Sequence, residues 1–254
     1  DKMGSTDLKS FAAEKLVSSN LSIVISGDID LDYAKGLIEK ELRIEKMEEM
    51  RPNKPLPTYR EQPILISRNH GRQVHYILGF RSVSRFNEDY EALNIISTAL
   101  GHGRASILSK ELRYKKGLVY TVGAGNNGFS NSGTFVIKTS TNKKNLNETF
   151  KIITNEINKI NSHGLSPEKL EFAKNKIKKS IIRKMQTSSS WVNFHTLGEL
   201  IQPNSYLTLD DHINKIISID NSQIIEVARK YFKKDNWYLA VIGDVKEADI
   251  DIVF

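Results

Sequence analysis

Cysteine is absent from the 254 residues, which excludes disulfides and thiol chemistry but leaves the compartment open. No run approaches the roughly 18 apolar residues a membrane helix needs, and the opening DKMGSTDLKS lacks the apolar segment of a signal peptide. The chain therefore reads as soluble, with no membrane role, and cytoplasm is slightly favoured. Metal motifs are missing too. None of the histidines, His70, His75, His102, His163, His195 and His212, falls in H-E-x-x-H or H-x-x-E-H. His195 and Glu199 share a helical spacing that suits an exposed polar pair, and His70 and His75 straddle a loop and a strand. There is no G-x-S-x-G nucleophile elbow, and GHGRA at 101–105 matches neither a dinucleotide fingerprint nor a P-loop.

Charge is unbalanced, 37 Lys and Arg against 30 Asp and Glu, for a net +7. The densest run is Lys174, Lys176, Lys178, Lys179, Arg183 and Lys184. Leu170, Ala173, Ile177 and Ile181 recur at helical spacing, so the cations are expected on the opposite, solvated side. Without interleaved aromatics or a recognition motif, an ordinary amphipathic helix explains the run, and no nucleic-acid partner is expected.

What the chain does have is a repeat. Thr6–Asp30 and Ser222–Lys246 each read as a polar cap, an amphipathic helix, an Asn, a strand and Gly-Asp. Asn20 matches Asn236 and Gly27 matches Gly243, an offset of 216 (236 minus 20, 243 minus 27). That distance suits one whole domain. The expectation is a molecule of two similar halves, with 1–50 closing a preceding homologous domain and 59–254 forming the second. Three of the six prolines fall in RPNKPLPT, so 51–58 is expected to be the linker.

Leu31–Met50 reads as a charged helix. Beyond the linker, Gln62–Ser67 and Gln73–Phe80 read as strands, the second alternating Val74, Tyr76, Leu78 and Phe80 to one side. A helix carrying Leu93, Ile96, Ser97 and Leu100 on one face is interrupted by Gly101 and Gly103, then resumes through Arg113. Val119–Asn126 and Gly133–Ser140 form a candidate hairpin. Leu146, Phe150, Ile153, Ile157 and Ile160 predict a helix ended by His163-Gly164, and Ser166-Pro167-Glu168 predicts the next helix start. Further helix follows, with breaks near Ser188 and Pro203, before the final helix and strand. This order predicts an α+β fold, a two-layer arrangement of one sheet backed by helices.

One segment carries candidate chemistry, LRYKKGLVYTVGAG at 112–125. Arg113 sits near a helix end, Gly117 suits a left-handed cap, and Tyr120 opens the next strand. Such a turn brings a guanidinium and a phenol toward one space, where both can donate to a peptide carbonyl or oxyanion. On spacing alone, a structural role for both, with Arg113 capping carbonyls and Tyr120 in the core, is the commoner outcome.

Residues 99–120, ALGHGRASILSKELRYKKGLVY, resemble the G-x-S-S-R-L-x-x-x-L-R-x-x-x-G-L-x-Y stretch in the second half of pitrilysin/insulinase-type zinc metallopeptidases, the family of mitochondrial processing peptidase. The resemblance extends in order through the proline linker, VHYILGF, SPEKLEFAK and the closing repeat. It implies paired halves closing around a chamber, with zinc held by H-x-x-E-H in the front half. It also implies that Arg113 and Tyr120 hold substrate backbone. The sequence departs from the pattern at Ala105 and Ile107, where Ser and Arg are usual, and at Tyr114, where Glu is usual.

The resulting expectation is the non-zinc, substrate-holding C-terminal half of a zinc metalloendopeptidase. It has no catalytic or metal residue of its own and is inactive alone. Its substrate is a peptide or unfolded polypeptide, zinc belongs to the N-terminal half or a partner chain, and its partner is that half or a homologous subunit, as in a dimer. The alternative is a catalytically silent structural subunit of the same fold.

Overall fold

The computed structural model describes residues 3–42, 64–67, 71, 73–201 and 208–251, with side chains left undescribed at 64, 65, 67, 197 and 199–201. The chain divides into two compact units, Asp1–Pro55 with Ile181–Thr208, and Leu56–Ser180 with Leu209–Phe254. The proline linker at 51–58 lies outside the described residues.

In the first unit, α1 (Ser5–Lys15) leads through a tight turn at Ser18–Asn20 to α2 (Leu31–Glu41), and α6 (Ser188–Ile201) completes it. Asp30 caps α2 by accepting from the Tyr33 amide at 2.8 Å, and residues 43–50 of the expected longer helix lie outside the described region. The strand expected after Asn20 is not one here. Leu21–Ser26 alternates between more and less exposed positions but has no ladder partner among the described residues. Periodicity fixes which side chains share a face; it cannot supply the neighbouring backbone that makes a strand.

The second unit is built on a five-stranded sheet ordered β1-β5-β2-β4-β3, from β1 (Ile64–Ser67), β2 (Val74–Ser82), β3 (Val119–Gly128), β4 (Gly133–Thr141) and β5 (Trp237–Ile242). β1 runs parallel to β5, and the other neighbours are antiparallel. Helices α3 (Tyr90–Gly101), α4 (Leu146–His163) and α8 (Asn221–Tyr231) cover one face. Val74, Tyr76, Leu78 and Phe80 are all buried on that side, as the alternation requires. The Phe80, Phe135 and Phe232 rings cluster there, with centroids 4.8 to 6.5 Å apart. Each such buried ring contributes on the order of 1.5–3 kcal/mol through apolar burial. The Tyr76 hydroxyl is buried as well. It donates to Thr149 Oγ1 of α4 at 2.7 Å, and burial raises its pKa. On the other face His75, Ile77, Lys138, Ala240 and Ile242 meet solvent. The α+β, one-sheet architecture is therefore present, with its helices on one side.

Two helices differ from expectation. All residues of α3 except Asn94 are buried, because the helix lies between the sheet and α7 (Leu209–Ser218) and α8 rather than at the surface. In α5 (Pro167–Lys184), Lys174 belongs to the buried side, only 9% exposed, instead of the solvated one. Its long stem lets the ammonium reach the Ile217 carbonyl at 2.9 Å, at the end of α7. The start of α5 is as expected, Ser166 Oγ accepting from the Lys169 amide at 3.3 Å.

Asp89, at the entry to α3, accepts from Lys230 Nζ at 2.6 Å and from the Tyr231 hydroxyl at 2.7 Å. These bonds fasten the end of α8 to the start of α3. Burial, and then the bond to Asp89, push the Tyr231 phenol up to about 12.

The helical part of the repeat recurs in its length and its terminal bond, although the strand does not. α1 and α8 are eleven residues each, and Ser5–Lys15 shifted by 216 gives Asn221–Tyr231 (221 minus 5, 231 minus 15). Both end by the same bond: Leu16 N to Ala12 O, and Phe232 N to Ala228 O, each 2.8 Å.

Candidate functional site

The site begins where α3 meets β3. A methyl at Gly101 would stand 2.0 Å from Ala124 N and 2.7 Å from Gly123 C, so only glycine allows the end of α3 to lie on the β3 backbone. The chain then turns through 102–106. The buried Ser106 hydroxyl lies 2.7 Å from Gly103 O and 2.9 Å from Ser109 Oγ, closing the turn internally.

The short helix expected to resume through Arg113 is present, and over Ser109–Lys115 it is a π-helix. Leu108 and Leu112 are fully buried and anchor it. Its wider turn rotates the residues after Leu112 relative to an α-helix, and such turns are frequent at functional sites. Gly117, at φ +63°, reverses the chain: Leu118 N donates to Leu112 O at 2.8 Å and Gly117 N to Arg113 O at 3.2 Å.

β3 then opens on a bulge. Val119 pairs with Thr141 but Val122 pairs with Thr139, so three steps on β3 oppose two on β4. The threonine hydroxyls satisfy the displaced carbonyls, Thr139 Oγ1 donating to Thr121 O at 2.6 Å and Thr141 Oγ1 to Leu118 O at 2.7 Å. The extra residue leaves both Tyr120 and Thr121 exposed while Val119 stays buried.

π-turn, reversal and bulge together bring the two sequence-selected residues into contact. The Arg113 guanidinium carbon lies 5.2 Å from the centre of the Tyr120 ring, over it. Tyr120 is 76% exposed and so is not part of the core. A third residue, overlooked as a site member in the sequence, joins them: Arg113 also lies over the Tyr114 ring at 5.4 Å. Its sequence signals were adjacency to Arg113 and its departure from the Glu usual at that position.

The histidines do not converge. His195 stacks on Trp191 at 5.8 Å, and His212 Nε2 is 3.8 Å from Glu91 Oε1. His75 and His163 are exposed, while His70 and the Glu199 side chain lie outside the described residues. No group of three or more His, Asp or Glu suited to a metal ion occurs among the described residues. The described residues therefore do not assemble a zinc site. No described helix is long and apolar enough to cross a membrane.

Residues 2–177 match the family model of the peptidase M16 inactive domain. The chain belongs to that family. This M16 inactive domain is 28% identical over 175 residues to an uncharacterized zinc protease of Streptomyces coelicolor, covering 69% of the chain and 38% of that protein. It is 24% identical over 245 residues to another of Mycobacterium leprae, covering 95% and 55%. The chain thus spans about half the length of these relatives, or less.

Among solved structures, the peptidase M16 inactive domain from Pseudomonas fluorescens superposes with a TM-score of 0.84 at 20% identity, over 96% of the chain and 58% of the other. A protease from Helicobacter pylori gives 0.81 at 19%, over 95% and 59%. A chain of complex III2 from Candida albicans gives 0.83 at 16%, over 98% and 61%. At these identities the likeness establishes the fold, which a protease and a chain of complex III2 share.

Proposed function

We propose that this M16 inactive domain is the substrate-holding half of a zinc-dependent peptidase, gripping the main chain of a peptide or unfolded segment with Arg113 and Tyr120. The observation that carries this is the contact itself. The guanidinium and the phenol meet at an exposed point, and neither side chain has a hydrogen-bond or ion-pair partner among the described residues. Unengaged donors beside an exposed ring are suited to a peptide carbonyl, where they orient the bond and stabilise developing negative charge.

The metal belongs, in this reading, to another segment of the whole protein or to a partner chain. The bare face of α1 supports such a neighbour. Leu8, Phe11 and Leu16 are 60%, 62% and 64% exposed, whereas their counterparts Ile224, Val227 and Phe232 in the repeat are buried. α8 covers that face with its own sheet, so the equivalent face of α1 is suited to a homologous sheet.

The test is peptide turnover by the whole protein carrying Arg113→Ala or Tyr120→Phe, with zinc content measured in parallel. Each variant is expected to lower turnover by about 10²- to 10³-fold, the usual effect of removing one preorganised donor, with zinc content unchanged. Wild-type turnover in both variants would refute the substrate-holding role of Arg113 and Tyr120, whereas a whole protein that turns over no peptide would favour a catalytically silent structural subunit.

A further inference from the structure

We propose that Tyr114 completes a three-residue clamp with Arg113 and Tyr120, and that this clamp selects peptides carrying a carboxylate at the contacted position. The inference rests on the reading of Arg113 and Tyr120 as substrate-holding residues and adds a specificity to it.

Neighbouring cations of the same turn have acidic partners: Lys115 Nζ lies 2.6 Å from Glu111 and Lys116 Nζ 3.1 Å from Glu148. Arg113 has none among the described residues, although it is only half-exposed. What surrounds its guanidinium is aromatic, with Tyr114 at 5.4 Å and Tyr120 at 5.2 Å. A ring beneath a guanidinium engages its π face and leaves the in-plane N–H edge open. That edge is a planar fork of donors matching a carboxylate in two parallel bonds, a stronger and more directional contact than a single carbonyl makes.

The phenols strengthen the selection. Tyr114 is 53% exposed, and neither its hydroxyl nor that of Tyr120 has a partner among the described residues. Two hydroxyl donors beside an unmatched cation suit an anionic acceptor better than a neutral one. No carboxylate of the clamp's own turn competes for the guanidinium, since Glu111 is held by Lys115. The ligand class is accordingly an acidic peptide, with Asp, Glu or a free C-terminus at the clamp.

The experiment measures binding by fluorescence anisotropy, using the whole protein with turnover stopped by a chelator and labelled peptides in matched pairs. The pairs differ in Glu against Gln at one position, or in a free against an amidated C-terminus. The charged member of at least one pair is expected to bind about tenfold more tightly, as a charge-assisted bidentate contact implies. Tyr114→Glu, which places a fixed carboxylate beside Arg113, and Arg113→Gln are each expected to bring that ratio close to one. Tyr114→Phe, which keeps the ring and loses the hydroxyl, is expected to leave a reduced preference. Equal binding of both members of every pair by the wild type overturns the carboxylate selection and leaves the backbone-holding role intact. A preference that survives both Tyr114→Glu and Arg113→Gln places the acidic subsite elsewhere and likewise overturns the proposal. Failure of every peptide to bind removes the substrate-holding reading as well.

Discussion

Asn20 and Asn236 make the same hydrogen bond at corresponding places in the repeat: Asn20 Nδ2 donates to Lys15 O at 2.9 Å, and Asn236 Nδ2 to Tyr231 O at 2.6 Å. Each bond satisfies a carbonyl left open at a helix C-terminus, which is why Asn recurs at that position. The surroundings differ. Asn236 also donates to Arg81 O at 3.1 Å and is half-buried, whereas Asn20 is exposed.

Asn236→Ala is therefore expected to destabilise the protein by about 1–3 kcal/mol, since it strands carbonyls that water reaches poorly. Asn20→Ala is expected to cost less than about 1 kcal/mol, because solvent replaces its bond. Urea unfolding of both variants checks the contrast, and equal losses would contradict the role given to burial.

Gly101→Ala tests the approach of α3 to β3. With Ala124 N only 2.0 Å from the added methyl, backbone must move. A loss of about 1–3 kcal/mol or more is expected from overpacking, seen as a lower Tm. An unchanged Tm would mean that the two elements do not meet as described.

Alkaline stability follows from Tyr231. Its folded pKa, about 12, stands above the ordinary 10.0, so the fold favours the protonated phenol. That contribution is present in full below pH 10 and is lost as pH rises toward about 12. Lys230, raised chiefly by its bond to Asp89, acts with the same sign. Urea midpoints measured across this window are expected to fall, and to fall less steeply in Tyr231→Phe. Identical profiles in the two proteins would rule out Tyr231 as a source of the decline.

Much of this fold is written in periodicity. Val74 to Phe80 and Leu146 to Ile160 lie as their spacing requires, because burial on one face imposes a period that the backbone geometry sets. Local chemistry was equally readable at Ser166 and Gly117, where a cap and a reversal depend on one or two residues. What escaped depends on partners distant in sequence. Lys174 resembles a solvated cation until Ile217 is brought beside it. Leu21–Ser26 alternates as a strand does, yet pairing requires a second backbone. At the candidate site Arg113 and Tyr120 were legible as a spacing, but the π-turn and the bulge that join them carry no residue signature, and Tyr114 enters only through that geometry.

The position of β5 has a consequence for synthesis. It lies between β1 and β2, which are near neighbours in the chain, and pairs Leu239 with Leu78 across 161 residues (239 minus 78). The 161 residues after Leu78, up to Leu239, must be made before that gap can be filled, so the sheet cannot close while β1 and β2 alone have emerged. Until β5 is in place, the backbone edges of β1 and β2 that it covers are unsatisfied, which is where misplaced strand pairing would begin.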